Sequence, residues 1–239
     1  MITEKIKINY KGKNVELEVR HNTQDEPMAR GEVFERNYYR EYGKLEIKSG
    51  DTVFDLGANV GSFSILAGIE GARKIVAVEP HPETIALLEK NLETNGEFFA
   101  EPVTVFRGGI MGESKEEVPF YLCNDPYGSG SHTLTLNFDN NPLGFKSFTV
   151  KTISLDQLME NTQTDTIDFL KLDIEGAEYE VLKNCQKLDH IRQISMEWHH
   201  GPVLFADLLT FLKGKNFSVA WFEGDDQRGK LQMRQGGIS

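Results

Sequence analysis

Asp55-Leu-Gly-Ala-Asn-Val-Gly61, directly after the apolar run Thr52-Val53-Phe54, decides the fold. An apolar strand that breaks into a glycine turn and resumes near Ser62 as an apolar helix opens a nucleotide-binding βα unit. Gly57 and Gly61 let the backbone approach a ligand closely, and the helix opening near Ser62 offers free N–H groups. A dinucleotide fingerprint would read G-x-G-x-x-G to seat a pyrophosphate. Here the glycines read G-x-x-x-G and a carboxylate, Asp55, guards the turn, which suits an amino group and a sulfonium better than a diphosphate. A turn that uses glycine only to reverse the chain would look the same, so a second signal is needed.

That signal follows in Lys74-Ile-Val-Ala-Val-Glu79, which reads as a buried parallel strand ending in an acid. In nucleoside-binding doubly wound sheets a carboxylate at the end of the second strand accepts hydrogen bonds from ribose hydroxyls, about 20 residues after the glycine turn. Asp55, Gly57, Ala58, Asn59, Gly61, Glu79 and Pro80 are therefore the expected cofactor contacts, and S-adenosylmethionine is the cofactor they predict. Pro80 and Pro82 bracket His81, which reads as a turn residue. Pro82 starts a helix carried by Ile85, Leu88 and Leu92 and ended by Asn95-Gly96.

Outward from this unit, Lys5–Tyr10 and Val15–Val19 alternate apolar and charged residues around Lys11-Gly-Lys-Asn14, a hairpin pattern. Residues Gly31 to Tyr42 predict an amphipathic helix that could pack over the cofactor pocket. Further strands are expected near Val103–Phe106, Ile167–Asp173 and Gln193–Trp198, so the βα rhythm predicts a mostly parallel sheet. Between Arg107 and Lys151 the rhythm breaks, over a stretch longer than the roughly 12–15 residues of an ordinary loop. A short hairpin around Val118–Cys123 and a glycine-rich lid at Asp125–Ser131 are expected there. An inert surface excursion is the plain alternative.

Composition narrows the class. A chain of 239 residues with 39% apolar content can bury one substantial core. The expectation is a single domain over 1–239, with 1–30 as an N-terminal hairpin extension and 107–151 as an insertion. A formal charge of −11 argues against nucleic-acid and anionic-membrane partners. The two cysteines, Cys123 and Cys185, have neither disulfide-framework nor zinc spacing, so a reducing cytoplasm is the expected home. The opening Met1-Ile-Thr-Glu-Lys predicts no signal peptide, and no stretch approaches the roughly 20 apolar residues of a membrane span.

Ile167-Asp-Phe-Leu-Lys-Leu-Asp173-Ile-Glu175-Gly-Ala-Glu178 is the other informative segment, an apolar strand that ends in acids and passes through Gly176 into a helix. Ligands in open α/β sheets sit at the carboxyl ends of the strands, so Asp173 and Glu175 should face the region of Asp55 and Glu79. On an extended strand Lys171, Asp173 and Glu175 share one face. Lys171 reads as an ion-paired structural residue, Asp173 as functional, and Glu178 as a favourable charge in the first helical turn.

Asp55-Leu-Gly-Ala-Asn-Val-Gly-Ser-Phe63, Glu79-Pro-His-Pro-Glu83, Val150-Lys-Thr-Ile-Ser-Leu-Asp156 and Lys171-Leu-Asp-Ile-Glu-Gly-Ala-Glu178 together resemble the FkbM family of S-adenosylmethionine-dependent methyltransferases. The resemblance runs from about Phe34 to Trp198. It implies an α/β class I methyltransferase fold: a doubly wound, mostly parallel, seven-stranded Rossmann-like sheet with a terminal antiparallel hairpin, for which Phe217–Glu223 and Lys230–Arg234 are suitable. It also implies O-methylation of a small-molecule or glycan acceptor. Arg107-Gly108-Gly109 departs from the small residues usual near the adenine.

The strand Gln193–Trp198 leads into His199-His200, at the same rim of the sheet. Adjacent strand residues point to opposite faces, so one of the two histidines at most enters the pocket. His199, in step with Glu197, is the general-base candidate, because an ordinary imidazole accepts a proton near neutral pH. A histidine that bonds a loop carbonyl is the competing reading. A divalent ion held by Asp173, Glu197 and His199 ranks below a metal-free mechanism in which Asp173, Glu175 and His199 are the catalytic set. The runner-up function is a non-catalytic nucleotide-binding or carrier-recognition module, and an NAD-dependent oxidoreductase comes third because the glycine spacing is wrong. Oligomeric state is not legible.

Overall fold

The computed structural model describes residues 2–40, 42, 44–122, 133–134, 146–199, 202–224 and 228–236, with the side chains of 202–204 excepted. The expected lid at 125–131, Cys123 and His200 lie outside them.

The chain opens with an antiparallel hairpin of β1 (Thr3–Tyr10) and β2 (Lys13–Arg20). Lys11 and Gly12, both at positive φ, make its turn. A three-residue helical turn, α1 (Asp25–Pro27), then runs into a π-helical segment, Met28–Glu35. The helix expected over 31–42 therefore starts earlier and stops sooner. Asn37 at φ +52° breaks it, freeing Tyr39 and Arg40 to make long-range hydrogen bonds to Asp173 and Glu70.

The doubly wound unit follows as β3 (Thr52–Leu56), α2 (Ser62–Ile69), β4 (Lys74–Glu79), α3 (Pro82–Thr94) and β5 (Thr104–Arg107). Residues of the insertion form a small three-stranded sheet from β6 (Gly109–Ile110), β7 (Lys115–Leu122) and β8 (Lys146–Ile153), so the expected hairpin gains a third strand. The chain continues through α4 (Leu155–Asn161), β9 (Phe169–Leu172), α5 (Glu178–Asn184), β10 (Gln193–Trp198), α6 (Pro202–Gly214), β11 (Phe217–Gly224) and β12 (Gly229–Gln235). The main sheet has seven strands in the order β11-β12-β10-β9-β3-β4-β5. Pairs from β10 to β5 are parallel, whereas β12 is antiparallel to both β10 and β11, the terminal hairpin expected from the resemblance.

Alternate strand residues feed two cores, one on each face. Phe54, Leu56, Val76 and Val78 pack with α4, α5 and α6, while Val53, Ile75 and Ala77 pack with α2, α3 and the N-terminal hairpin. Winding reverses at β3: the chain first adds β4 and β5 on one side of it and later β9 and β10 on the other. A crevice opens at the carboxyl ends of strands where the order reverses.

The hairpin is held by amide side chains. Asn91 and Asn95, one helical turn apart on α3, donate to the carbonyls of Glu18 and Glu16 on β2 at 2.9 and 2.7 Å and accept from the N–H groups of the same two residues at 2.7 and 3.2 Å.

Candidate functional site

The cavity at the ends of β3, β4 and β9 encloses about 950 Å³, part of it open to solvent, and Gly57, Ala58, Asn59, Glu79 and Pro80 line it. Gly57 has φ +80°, and a Cβ there would lie 1.8 Å from the carbonyl oxygen of Asp173. Only glycine lets the ends of β3 and β9 approach this closely. Gly61, φ +89°, starts α2, where a Cβ would lie 2.7 Å from Leu88 Cδ1. It serves packing and is not on the pocket wall.

Glu79 ends β4 with its carboxylate buried. Its two oxygens accept from the backbone N–H groups of Asn59 at 3.0 Å and His81 at 2.9 Å. Burial nonetheless pushes its pKa up to about 7, against the opposing pull of these N–H groups and of Arg20 and Lys171. Each carboxylate oxygen keeps acceptor capacity, so the group can receive further donors. His81 caps α3 through its ring nitrogen at 3.2 Å from the N–H of Glu83, the turn role expected.

Asp55 differs from its expected role. It faces Lys171 directly in the parallel register of β3 and β9, with Nζ 3.2 Å from Oδ1. It also accepts from Ser64 Oγ at 2.7 Å. Fully buried behind the turn, it does not line the cavity. Sequence parity alone explains this, because residue 55 shares a face with Val53, which packs under α2. Lys171 is the ion-paired residue expected: it also donates to the carbonyl of Gly57 at 2.6 Å and lies 3.8 Å from Asp173. Burial works against its charge, yet Asp55 and Asp173 hold its pKa above the ordinary lysine value.

The rim opposite Glu79 is assembled from distant segments. β9 ends at Leu172, so Asp173 and Glu175 do not share a strand face as expected. Glu175 instead takes φ +55° and Gly176 φ +112°, a left-handed turn after which both acids line the cavity. Asp173 accepts from Tyr39 Oη at 2.7 Å. Burial would raise its pKa, but Lys171, His199 and the Tyr39 bond hold it below the usual carboxylate range. Burial, reinforced by the negative charges of Asp173, Glu178 and Glu197, pushes Glu175 up to about 8, with His199 pulling the other way.

His199 sits among acids. Its Nδ1 is 3.0 Å from Glu178, and its Nε2 is 3.5 Å from Glu175 and 3.8 Å from Glu197. Burial alone would lower its pKa, but Glu178 by charge and hydrogen bond, then Glu175 and Asp173, push it up to about 10. At neutral pH it is an imidazolium with no lone pair to accept a proton, contrary to the expectation of a general base. Glu178 is also more than a first-turn charge. It is fully buried and accepts from the N–H groups of Ile174 and Gly176 at 3.3 and 3.1 Å, fixing the turn and the histidine together. Donor atoms of Asp173, Glu175 and His199 lie within 4.8 Å of one another, so these three, with Glu175 in place of Glu197, are the set an ion could bridge.

Several site residues were missed in the sequence. Asp25, Glu32 and Tyr39 line the cavity from the N-terminal segment, and Phe120 and Leu134 line it from the insertion. Thr133 also donates to the Glu175 carbonyl at 2.5 Å. Arg20 joins Asp25 by a two-pronged pair at 2.7 and 2.8 Å and reaches Asn59 Oδ1 at 2.9 Å. The buried charge at the end of an otherwise alternating strand was the available signal for Arg20; Lys230, 3.2 Å from Glu32 and 3.3 Å from Glu197, had none.

A family model described as Methyltransferase FkbM domain matches residues 55–219. The chain is 27% identical over 247 residues to part of the AMB antimetabolite synthetase AmbE of Pseudomonas aeruginosa, covering 86% of this chain and 11% of that protein. It is 26% identical over 166 residues to the hexuronic acid methyltransferase AglP of Haloferax volcanii, covering 65% of this chain and 59% of AglP. To the 31-O-demethyl-FK506 methyltransferase FkbM of Streptomyces tacrolimicus it is 25% identical over 213 residues, covering 79% and 80%. The crystal structure of the methyltransferase FkbM from Methylobacillus flagellatus superposes with a TM-score of 0.53 at 17% identity, over 83% of this chain and 50% of that one, and supports the fold alone. Among the described residues no helix is long and apolar enough to cross a membrane. With its glycine turn, buried strand-end acid and K-x-D-x-E-G-A-E turn all inside the matched span, the chain belongs to the FkbM methyltransferase family.

Proposed function

We propose that this chain transfers a methyl group from S-adenosylmethionine to a hydroxyl oxygen of a small-molecule or glycan acceptor. The observation that carries the reading is the division of one cavity between Glu79 with the Gly57–Asn59 turn on one side of β3 and Asp173 with Glu175 on the other. The donor set fits the cofactor: a buried carboxylate with spare acceptor capacity suits ribose hydroxyls, and a cavity whose charged lining residues are mainly acids suits a ligand of net positive charge. When bound, the cofactor supplies an electrophilic methyl group on a sulfonium. Two relatives are named for 31-O-demethyl-FK506 and hexuronic acid, both hydroxyl compounds, which supports oxygen as the acceptor atom.

In this reading Gly57, Ala58, Asn59, Glu79 and Pro80 hold the cofactor, and Asp55 and Gly61 keep their turn in shape from behind. Glu175 takes the acceptor proton, since a base whose pKa lies near the working pH is the efficient one. His199 stays protonated and steadies the ionised Glu175, while Asp173, fixed by Tyr39 and Lys171, orients the hydroxyl. Alignment of the oxygen supplies much of the rate. Residues 1–239 act as one methyltransferase unit, with Asp25 and Met28 of the N-terminal segment and Phe120 and Leu134 of the insertion on the cavity wall, and no metal takes part.

Calorimetric titration with S-adenosylmethionine and with NAD tests the cofactor, and transfer of labelled methyl to hydroxyl compounds tests the chemistry. S-adenosylmethionine binding without transfer to any acceptor would reduce the chain to a nucleotide-binding module.

A further inference from the structure

We infer that the acceptor is an uncharged or positively charged hydroxyl compound, and that the site discriminates against one carrying a carboxylate or phosphate beside the reacting hydroxyl. The inference rests on the methyl-transfer reading, adds the acceptor's charge class, and sets this chain apart from the relative named for hexuronic acid, a carboxylate-bearing sugar. The cavity is lined by the carboxylates of Asp25, Glu32, Glu79, Asp173 and Glu175, against which Lys171 is the one lysine or arginine on the wall among the described residues. That lysine is already engaged by Asp55, Asp173 and the Gly57 carbonyl.

The other cations close by are equally committed. Arg20 is locked on Asp25, Lys230 lies between Glu32 and Glu197, and His199 between Glu178 and Glu175. An anionic acceptor would have to break one of these buried pairs to gain a partner, leaving a carboxylate uncompensated, or sit unpaired beside Asp173 and Glu175. In the sequence, residues 123–145, 200–201, 225–227 and 237–239 contain neither lysine nor arginine. An ammonium or a neutral hydroxyl meets the opposite situation at Asp173, which Lys171 and His199 hold ionised despite its burial and which therefore accepts only and is satisfied by a donor.

Three matched probes test this: the methyl glycosides of glucose, glucosamine and glucuronic acid, which share a ring and differ in one substituent. Their binding to the protein saturated with S-adenosylhomocysteine is measured by titration at pH 7, with and without Mg²⁺. The neutral and amino sugars should bind at least tenfold more tightly than the uronate, and Glu32→Gln should narrow that gap. Uronate binding equal to or tighter than the neutral sugar, in either buffer, overturns the inference, and so does an equal response to all three, absence of binding included. Methyl transfer is followed separately with labelled cofactor. The expected binding order without transfer breaks the methyl-transfer reading alone, whereas transfer to the uronate in preference to the neutral sugar breaks the charge assignment alone.

Discussion

The two sides of the cavity are built by different means. On the side proposed for the cofactor, the Gly57–Asn59 turn and Glu79 lie close in the chain and are tied by backbone N–H groups. On the side proposed for the acceptor, Asp173, Glu175 and His199 are held by Tyr39, Glu178 and Lys171, side chains drawn from the N-terminal segment, α5 and β9. A site fixed by backbone geometry tolerates loss of one side chain. A site fixed by opposed buried charges passes each loss to its neighbours.

The sharpest way to separate the two sides is Glu175→Gln. With Glu175 as base, turnover should fall roughly 10²–10⁴-fold while S-adenosylmethionine affinity stays within a factor of a few; unchanged turnover in a labelled-methyl assay removes the base assignment. Chelator should leave the parent active. Activity abolished by chelator and restored by Mn²⁺ would instead put an ion among Asp173, Glu175 and His199, lowering the hydroxyl's own pKa. Lys171→Met should damage both sides at once, because it strands Asp55 and relaxes Asp173. A stability loss of about 3–5 kcal/mol is expected in urea titration, and a loss under about 1 kcal/mol would mean that solvent already screens the pair.

Glu79→Ala tests the cofactor side alone. Affinity for S-adenosylmethionine should drop by about 1–3 kcal/mol, the worth of a hydrogen bond to a charged group, with the pH profile of turnover unmoved; equal affinity in calorimetry would show that the ribose lies elsewhere. His199→Gln tests the acceptor side in the complementary way. Turnover of the parent should rise with pH through about 8 as Glu175 ionises. Removing the imidazolium should move that limb upward by roughly 1–3 units, and a limb that stays in place would leave His199 a structural residue only.

The smallest effect is on stability. Burial raises the folded-state pKa of Glu79 to about 7 and of Glu175 to about 8, so the unliganded protein holds protons there that the unfolded chain, near 4.5, would lose. That contribution is complete below about pH 4.5 and is lost as pH rises through 7 to 8. Between pH 6 and 9 the melting temperature should therefore fall by a few degrees from these two groups, and less so in Glu79→Gln. A Glu79→Gln variant with the parent's full pH slope would show that Glu79 ionises normally.

The same division explains what could be read in advance. The parallel strands and the turn at Gly57 follow from apolar runs and glycine positions, which are local in the sequence, whereas the terminal hairpin follows from the family resemblance. Asp55 was assigned to the cofactor because a strand-end acid is a common ligand, but its partner, Lys171, lies across a register set only by folding. His199 was assigned as a base from its ordinary pKa, and its actual state depends on acids at 175, 178 and 197 that only β9, α5 and β10 bring together. Glu32 and Tyr39 fall in the 31–42 segment expected over the pocket, but nothing local singles out those two side chains, and Arg20 carries only the mark of a charge that closes an alternating strand.

The amide pair of Asn91 on α3 and Asn95 at its C-terminal cap also bears on solubility. A lone two-stranded ribbon is marginal in water, and its outer strand would offer unsatisfied N–H and C=O groups to any passing chain. Asn91 and Asn95 occupy those groups on β2 as an adjoining strand would, because four residues of helix rise about 6 Å and two residues of strand span about 6.6 Å. A helix thereby finishes a sheet it does not belong to. The ribbon's outer edge is closed where α3 lies against it, and since Arg20, which reaches Asn59 in the glycine turn, is the last residue of β2, whatever frays that seam also loosens the turn that lines the cavity.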